Sequence, residues 1–129
     1  MIPASPAGVR TPVIGDPSFV EGRLLRIFIG EDAQHHGRPL HVAIVEMLRK
    51  EGVAGASVFR GVEGFGSHHE IHMSKVFSFG GRMPMVVEVV DSAERIAALL
   101  PQLEAMVDEG AITLERIEYR RFFGKRTGG

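Results

Sequence analysis

Residues whose side chains or backbone could bind a ligand are concentrated between positions 61 and 82. The glycines of this stretch allow positive φ angles and a close approach of the backbone to a ligand. Within it, the step Gly64-Phe65-Gly66 could turn successive backbone amides toward an anion. The spacing matches neither a Walker A loop nor the G-x-G-x-x-G motif. On physics alone, turn formation explains these glycines at least as well as anion binding does.

Histidines form a second group of candidate ligands, and all six lie between His35 and His72. Together with a carboxylate, His68, His69 and His72 could bind Zn²⁺, Cu²⁺ or Ni²⁺. No spacing among them is diagnostic of a metal site. The other interpretation is a solvated polar surface whose positive charge rises as the imidazoles protonate near about pH 6.

Catalysis has no supporting constellation in the sequence. The serines occur outside the G-x-S-x-G and S-x-x-K contexts in which serine nucleophiles are found. The chain contains no cysteine, which excludes disulfides, thiolate zinc sites and cysteine nucleophiles. We therefore expect a protein that is not an enzyme.

Length and composition indicate one ordinary globular domain. The chain has 129 residues, is 44% hydrophobic and 24% charged, and has a formal net charge of −1. This balance gives no reason to expect nucleic-acid binding. No apolar run approaches the roughly 20 residues that span a bilayer, and the N-terminus lacks the features of a signal peptide. We expect a cytoplasmic protein that does not itself span a membrane.

Periodicity predicts six elements in the order β-α-β-β-α-β. The predicted strands cover residues 24–29, 53–60, 85–90 and 112–119, and the helices cover residues 39–50 and 91–109. Residues 1–22, rich in proline, are expected to form a flexible arm, and residues 123–129 a basic tail. Residues 23–122 would then form the domain.

Three local features refine this assignment. Asp91 is expected to cap the second helix, with Glu94 three residues on completing a capping box. Pro101 should kink or split that helix. In the last strand, the alternation slips between Leu114 and Ile117, which suggests a bulge.

The element order predicts an α+β fold, with a four-stranded antiparallel sheet and both helices on one face. Such a sheet leaves one face uncovered, and the third strand is apolar on both sides, so we expect a partner sheet there. The connection between strands two and three is far longer than the usual four to six or so residues, which is typical of functional loops. Its phenylalanines, including Phe77 and Phe79, are expected to pack on a partner or on a hairpin extension of the strands.

Four segments of the chain together resemble one bacterial family. They read LLRIFIGED, GRPLHVAIVEMLRKEGVAGASVFRGVEGFGSHHEIH, MPMVVEVVD and MVDEGAITLERIEY. The sequence is similar to the PII-like proteins of the family called domain of unknown function 190, across about residues 23–122. The part GVAGASVFRGVEGFG is the most specific to it.

The resemblance implies a ferredoxin-like fold and a homotrimer that binds an adenine nucleotide in the clefts between subunits. It also implies that the loop after the second strand, the T-loop of PII proteins, carries the signal to transporters or enzymes. Carried over by motif, Gly64 and Gly66 would admit a nucleotide to the backbone, with Phe65 or Ser67 flanking it. PII proteins have a second phosphate loop, G-x-G-K, after strand three. Here the third strand passes directly into the helix, so that half of the site is missing.

The resulting hypothesis is a PII-like signalling protein that binds a small anionic effector. An adenine nucleotide is the candidate effector, and the sequence indicates no definite cofactor. The effector would contact residues 64–67 and the basic pair Arg120 and Arg121, since guanidinium groups bind phosphates well. His68, His69, His72, Phe77 and Phe79 would contact a partner, with a membrane transporter or channel as the candidate. The alternative is a metal-binding trimer similar to the CutA proteins, in which His68, His69 and His72 bind the metal.

Overall fold

A computed structural model of the chain describes residues 14–65, 72–73 and 83–124, with only the backbone of residues 72–73. It contains four main strands and two helices: β1 (Val20–Gly30), α1 (Leu40–Lys50), β2 (Ala56–Arg60), β3 (Pro84–Asp91), α2 (Ala93–Met106) and β4 (Ala111–Tyr119). The strands form one antiparallel sheet in the order β2-β3-β1-β4. The predicted α+β architecture and element order are confirmed.

Two short hairpin ladders accompany this sheet. One joins Gln34–His35 to Arg38–Pro39 between β1 and α1, and the other joins Glu63–Gly64 to His72–Met73 in the long connection. Arg38 of the first ladder donates hydrogen bonds to Glu46 on α1 at 2.7 and 2.5 Å. These bonds lower the pKa of the Glu46 carboxyl and fix the hairpin to the helix.

Strand pairing decides which side chains face the helices. Leu25 and Ile27 of β1 lie opposite Val89 and Val87 of β3, and all four are buried. Because side chains alternate along a strand, the residues between them point to the other face of the sheet. Neither described helix lies on that second face, here called the open face.

Both helices pack on the buried face of β1 and β3. The helices contribute apolar stripes spaced by three and four residues, as predicted. The core consists of Leu25, Ile27, Ile29, Leu40, Ile44, Met47, Leu48, Met85, Val87, Val89, Ile96, Leu99 and Leu103. Neither described helix has the length and hydropathy needed to cross a membrane.

The first strand begins earlier than predicted, at Val20 instead of position 24. Its added residues pair with the end of β4, so positions 20–22, placed in the N-terminal arm above, belong to the sheet. A turn at residues 14–19 precedes it, in which the Gly15 amide donates to both carboxylate oxygens of Glu118 at 2.9 Å. Residues 1–13 of the predicted arm lie outside the described residues.

The predicted cap of α2 was wrong by one residue. Ser92 is the N-cap, and its hydroxyl accepts a hydrogen bond from the Arg95 amide at 3.2 Å. Asp91 instead ends β3, where its carboxylate accepts from the Ser92 amide at 2.7 Å. Glu94 lies in the first turn of the helix, where its negative charge favours the helix N-terminus.

The described elements show neither the predicted split of α2 nor the predicted bulge in β4, and a kink at Pro101 stays a prediction. The helix α2 continues past Pro101, which lies on the exposed side, where water can satisfy the carbonyl that the proline leaves unpaired. The strand β4 pairs with β1 without a bulge from Ala111 to Tyr119. Ile112 and Leu114 lie opposite Ile27 and Leu25 on the helix side, whereas Ile117 lies opposite Gly22 on the open face. The apolar residues therefore change faces along a regular edge strand.

Gly110 precedes β4 and cannot be replaced without strain. Its φ of +150° suits glycine, and an added Cβ would collide with the carbonyl oxygen of Phe28. We predict that Gly110→Ala lowers the free energy of unfolding by about 2 kcal/mol or more, measured by urea denaturation.

The matched control is Gly55→Ala, since a Cβ at Gly55 meets no atom within 4 Å. It should change the free energy of unfolding by no more than about 0.5 kcal/mol. Equal effects of the two substitutions would contradict the prediction.

Candidate functional site

The two ends of the long connection are held together where it leaves the sheet. The Gly61 amide donates to the Pro84 carbonyl at 2.6 Å, and the Glu31 amide donates to the Met83 carbonyl at 2.8 Å. The Glu31 carboxylate accepts from Arg60 at 3.0 and 3.3 Å and from the Met83 amide at 3.4 Å. Glu31 therefore bonds to the last residue of β2 and to the residue before β3, and so fixes the distance between the ends of the connection.

Glycines at the start of the connection pack closely against Pro84. A Cβ at Gly61 would collide with the Pro84 ring, and a Cβ at Gly64 would lie 3.2 Å from its Cγ. Gly64 also pairs with His72 in the short ladder, and Phe65 is exposed. Close packing is therefore one physical reason for the glycines here. The role of Gly64 and Phe65 toward a ligand stays a prediction.

The rest of the predicted loop site lies outside the described side chains. Gly66, Ser67, His68, His69, Phe77 and Phe79 fall outside the described residues, and His72 is described by its backbone alone. Among the side chains of residues 14–65 and 83–124, no three histidines or carboxylates come close enough to hold a metal. The metal-binding alternative on the loop histidines is therefore untested.

A cleft of about 560 Å³ lies at the other end of the sheet, where β2 begins and where β3 and β4 end. Its lining residues are Ala54, Gly55, Ala56, Ser57, Glu88, Val90, Tyr119, Arg120, Arg121, Phe122 and Phe123. On one side the wall is built of small residues, which let a flat molecule approach the backbone. The opposite wall is the segment that follows β4, which folds back toward β3.

The basic wall of the cleft contains one anchored and one exposed arginine. Arg121 donates to the Val90 carbonyl at 3.0 Å, and its guanidinium carbon lies 5.4 Å from the centre of the Tyr119 ring. Arg120 is exposed and lies 5.2 Å from the centre of the Phe122 ring. Stacking on an aromatic ring restrains a guanidinium while leaving its N–H groups available to an anion.

Glu88 provides an acidic group on the floor of the cleft. It lies opposite Ser57 in the sheet and points to the open face. Its carboxylate is 3.6 Å from Nε of Arg26, whose Nη1 also contacts Glu115 at 2.5 Å. Because one arginine serves two carboxylates, Glu88 retains acceptor capacity for an amine. The cleft thus combines a hydrogen-bond acceptor with guanidinium groups and a flat apolar wall.

The sheet separates the two predicted parts of the ligand site. Gly64 lies beside Pro84, the first residue of β3, whereas Arg121 contacts Val90 near its end. Pro84 and Val90 are six residues apart in the strand, which places these points roughly 20 Å apart. One chain alone therefore does not bring Gly64 and Arg121 to the same small ligand.

Sequence reasoning missed the cleft residues Gly55, Ser57 and Glu88. One signal was present, because a glycine inside a strand pattern often marks a close approach of a ligand or another backbone. Glu88 gave a second, weaker signal as the one charge within MVVEVV. Ser57 and Glu88 could not be placed side by side before the strand register was known.

Comparisons with known proteins agree with this fold. The model of the DUF190 family, described as "Uncharacterized ACR", matches residues 22–119. A UPF0166 protein of Aquifex aeolicus is 37% identical over 99 residues, which are 77% of this chain and 93% of the relative. A UPF0166 protein of Methanocaldococcus jannaschii is 25% identical over 96 residues, covering 74% of this chain and 88% of the relative.

Two solved structures share the fold. One is CPII, a nitrogen regulatory PII-like protein from Thiomonas intermedia K12 bound to ADP, AMP and bicarbonate. It has a TM-score of 0.57 and 18% identity, over 80% of this chain and 92% of that one. The other, from Thermus thermophilus, is described as a PII-like signaling protein, with a TM-score of 0.57 and 18% identity over 79% and 92% of the two chains. At this identity the likeness establishes the fold.

The bonds at the loop ends generate a prediction for Glu31. We expect Glu31→Ala to speed hydrogen exchange of the Gly61 and Met83 amides by about tenfold, because the carboxylate no longer holds Arg60 and Met83. Global stability should fall by about 1 kcal/mol or less, since the ion pair is partly exposed. Amide exchange followed by NMR measures both effects.

The matched control is Glu46→Ala, which removes the pair with Arg38 on the helix side. It should leave exchange of the Gly61 and Met83 amides unchanged. Unchanged exchange in Glu31→Ala itself would show that the carboxylate does not hold the ends of the connection.

Proposed function

The chain belongs to the DUF190 family and has the fold of PII-like proteins, and from this premise we propose that it is a regulatory protein that binds an adenine nucleotide. The observation that carries the proposal is the cleft that joins Glu88 and Ser57 to Arg120 and Arg121. Support for the ligand class comes from CPII, a fold relative that is bound to ADP and AMP.

The base would lie against the wall formed by residues 54–56. This wall presents two alanines and a glycine, so a planar ring can reach the strand without displacing a side chain. The exocyclic amine of adenine would donate to the Glu88 carboxylate, with the Ser57 hydroxyl beside it. A volume of about 560 Å³ lies within the roughly 300–1,000 Å³ range of small-molecule sites.

The phosphates would extend toward the arginines of the opposite wall. Arg120 is exposed there, and its guanidinium can bind phosphate oxygens through paired hydrogen bonds. The chain has no G-x-G-K loop after β3, because Asp91 and Ser92 lead directly into α2. Fewer phosphate donors favour AMP or ADP over ATP, which carries the additional charge.

The second part of the site would come from another copy of the chain. The separation of Gly64 from Arg121 along β3 leaves Gly64 too far from the cleft of its own chain. In a closed ring, residues 64–67 of one subunit can approach the cleft of its neighbour. Their backbone amides would then contact the phosphates.

The open face supports assembly as a trimer. Phe28, Val86 and Phe59 lie side by side across three strands of this face. Phe28 is 39% exposed and Phe59 is 52% exposed in the single chain. A row of exposed apolar side chains on an uncovered sheet favours contact with another copy, and the likeness to PII proteins predicts three copies.

Nucleotide binding would control the connection of residues 61–83. A ligand held by residues 64–67 of one subunit favours the loop conformation that binds it best. That conformation would present His68, His69, His72, Phe77 and Phe79 to a partner, for which a membrane transporter or channel is the candidate. The metal-binding function remains the alternative for the same histidines.

Calorimetric titration tests nucleotide binding. We expect AMP or ADP to bind more tightly than ATP, and Glu88→Gln to weaken AMP binding by about tenfold, because an amide accepts a hydrogen bond from the base less strongly than a carboxylate does. The control is Glu104→Gln, which removes an exposed carboxylate on α2, outside the cleft, and should leave AMP binding unchanged. Flat titrations with ATP, ADP, AMP and cyclic dinucleotides would refute the proposal.

Light scattering coupled to size-exclusion chromatography tests the assembly. We expect the native mass to be that of three chains, and Val86→Lys to reduce it to one, because the lysine places a charge in the apolar row of the open face. The control is Leu114→Lys, on the helix side of edge strand β4, which should leave the trimer intact. A monomeric native protein would contradict assembly through the open face.

A further inference from the structure

Asp91 carries a buried charge at the end of β3. The residue is 7% exposed, and its Oδ1 accepts from the Ser92 amide at 2.7 Å. Its Oδ2 lies 3.6 Å from Nε of Arg95 and 3.7 Å from Nη2 of Arg121. Asp91 itself does not line the ligand cleft. Burying a carboxylate costs free energy of folding unless cations and hydrogen-bond donors surround it. These three contacts are therefore needed to stabilise Asp91 in its buried position.

The two arginines connect Asp91 to different parts of the fold. Arg95 also donates to the Glu51 carbonyl at 2.9 Å and so links the start of α2 to the end of α1. Arg121 donates to the Val90 carbonyl at 3.0 Å and so links the segment after β4 to β3. The contact with Arg121 is therefore the one that bears on the wall of the cleft.

The backbone around Asp91 is shaped to receive this segment. A Cβ at Gly22 would collide with the Tyr119 ring and lie 2.7 Å from the Asp91 carbonyl oxygen. The absence of a side chain at Gly22 thus lets Tyr119 lie against the end of β3, with Arg121 stacked on its ring. The turn into residues 120–123 is therefore fixed by packing as well as by charge.

We infer that Asp91 is a positioning residue for the cleft. Its carboxylate holds Arg121, and with it residues 120–123, against the end of β3. This wall would then be in place before a ligand arrives, and binding would require less ordering of the chain. The role in ligand binding depends on the proposed function, whereas the placement of the segment does not.

Hydrogen exchange of the ligand-free protein tests the placement. We expect Asp91→Asn to speed exchange of the amides of residues 120–124, because a neutral amide does not attract Arg121 as a carboxylate does. Arg121→Gln should give the same increase, and the double variant no further increase, since both single changes remove one interaction. Arg121 is partly exposed, so its variant is expected to fold even if Asp91→Asn does not.

Arg95→Gln is the matched control, because it removes the other arginine from Asp91 and leaves Arg121 in place. It should leave exchange in residues 120–124 unchanged. If folded Asp91→Asn and Arg121→Gln exchange like the native protein, or if Arg95→Gln has the same effect as they do, the inference is overturned.

Titration of the same variants with AMP tests the consequence for binding. We expect Asp91→Asn to weaken AMP binding by about tenfold, although Asp91 does not touch the cleft, and Arg95→Gln to bind as the native protein does. An unchanged affinity in Asp91→Asn would overturn the role in binding. If the native protein binds no nucleotide, the proposed function fails, and the exchange experiment still decides the placement.

Discussion

The packing of two helices on one face of β1 and β3 is the constraint on which the other features depend. Val87 and Val89 must face the helices to bury their side chains, and alternation then directs Glu88 and Val90 to the open face. The floor of the cleft is thus fixed by the same register that builds the core. A slip of one residue in β3 would bury Glu88 and expose the valines. The core and the floor of the cleft are therefore both specified by one strand.

The open face and the separation of the two parts of the proposed ligand site lead to the same conclusion. The helices can cover only one side of a four-stranded sheet, which leaves Phe28 and Phe59 accessible in a single chain. The cleft lies at one end of this sheet, and Gly64 lies at the other. Assembly of several copies of the chain around the open face would account for both features. On this view assembly and ligand binding are linked, because the same contacts that cover the apolar face would complete the cleft.

The sequence predicted the elements well because each depends on local periodicity. The stripe of α1 and the alternation of β3 were both found where the pattern placed them. Errors arose where residues distant in sequence decide the structure. Asp91 pairs with two arginines instead of capping α2. The edge strand β4 stays regular because its pairing with β1 sets its register. The cleft was missed for the same reason. Ser57 and Glu88 are far apart in sequence and become neighbours only through strand pairing.

The bonds that join Glu31, Arg60 and Met83 have a consequence for how the family can diversify. They close the base of the connection within the domain, so we expect the folding of the sheet to depend little on the residues between 61 and 83. Lengthening such a loop costs only about 0.6 kcal/mol for each doubling. A different segment could therefore replace this one while the scaffold stays the same. Because its ends are held together, the connection is a suitable place to insert a reporter domain, which could then report binding of the proposed ligand.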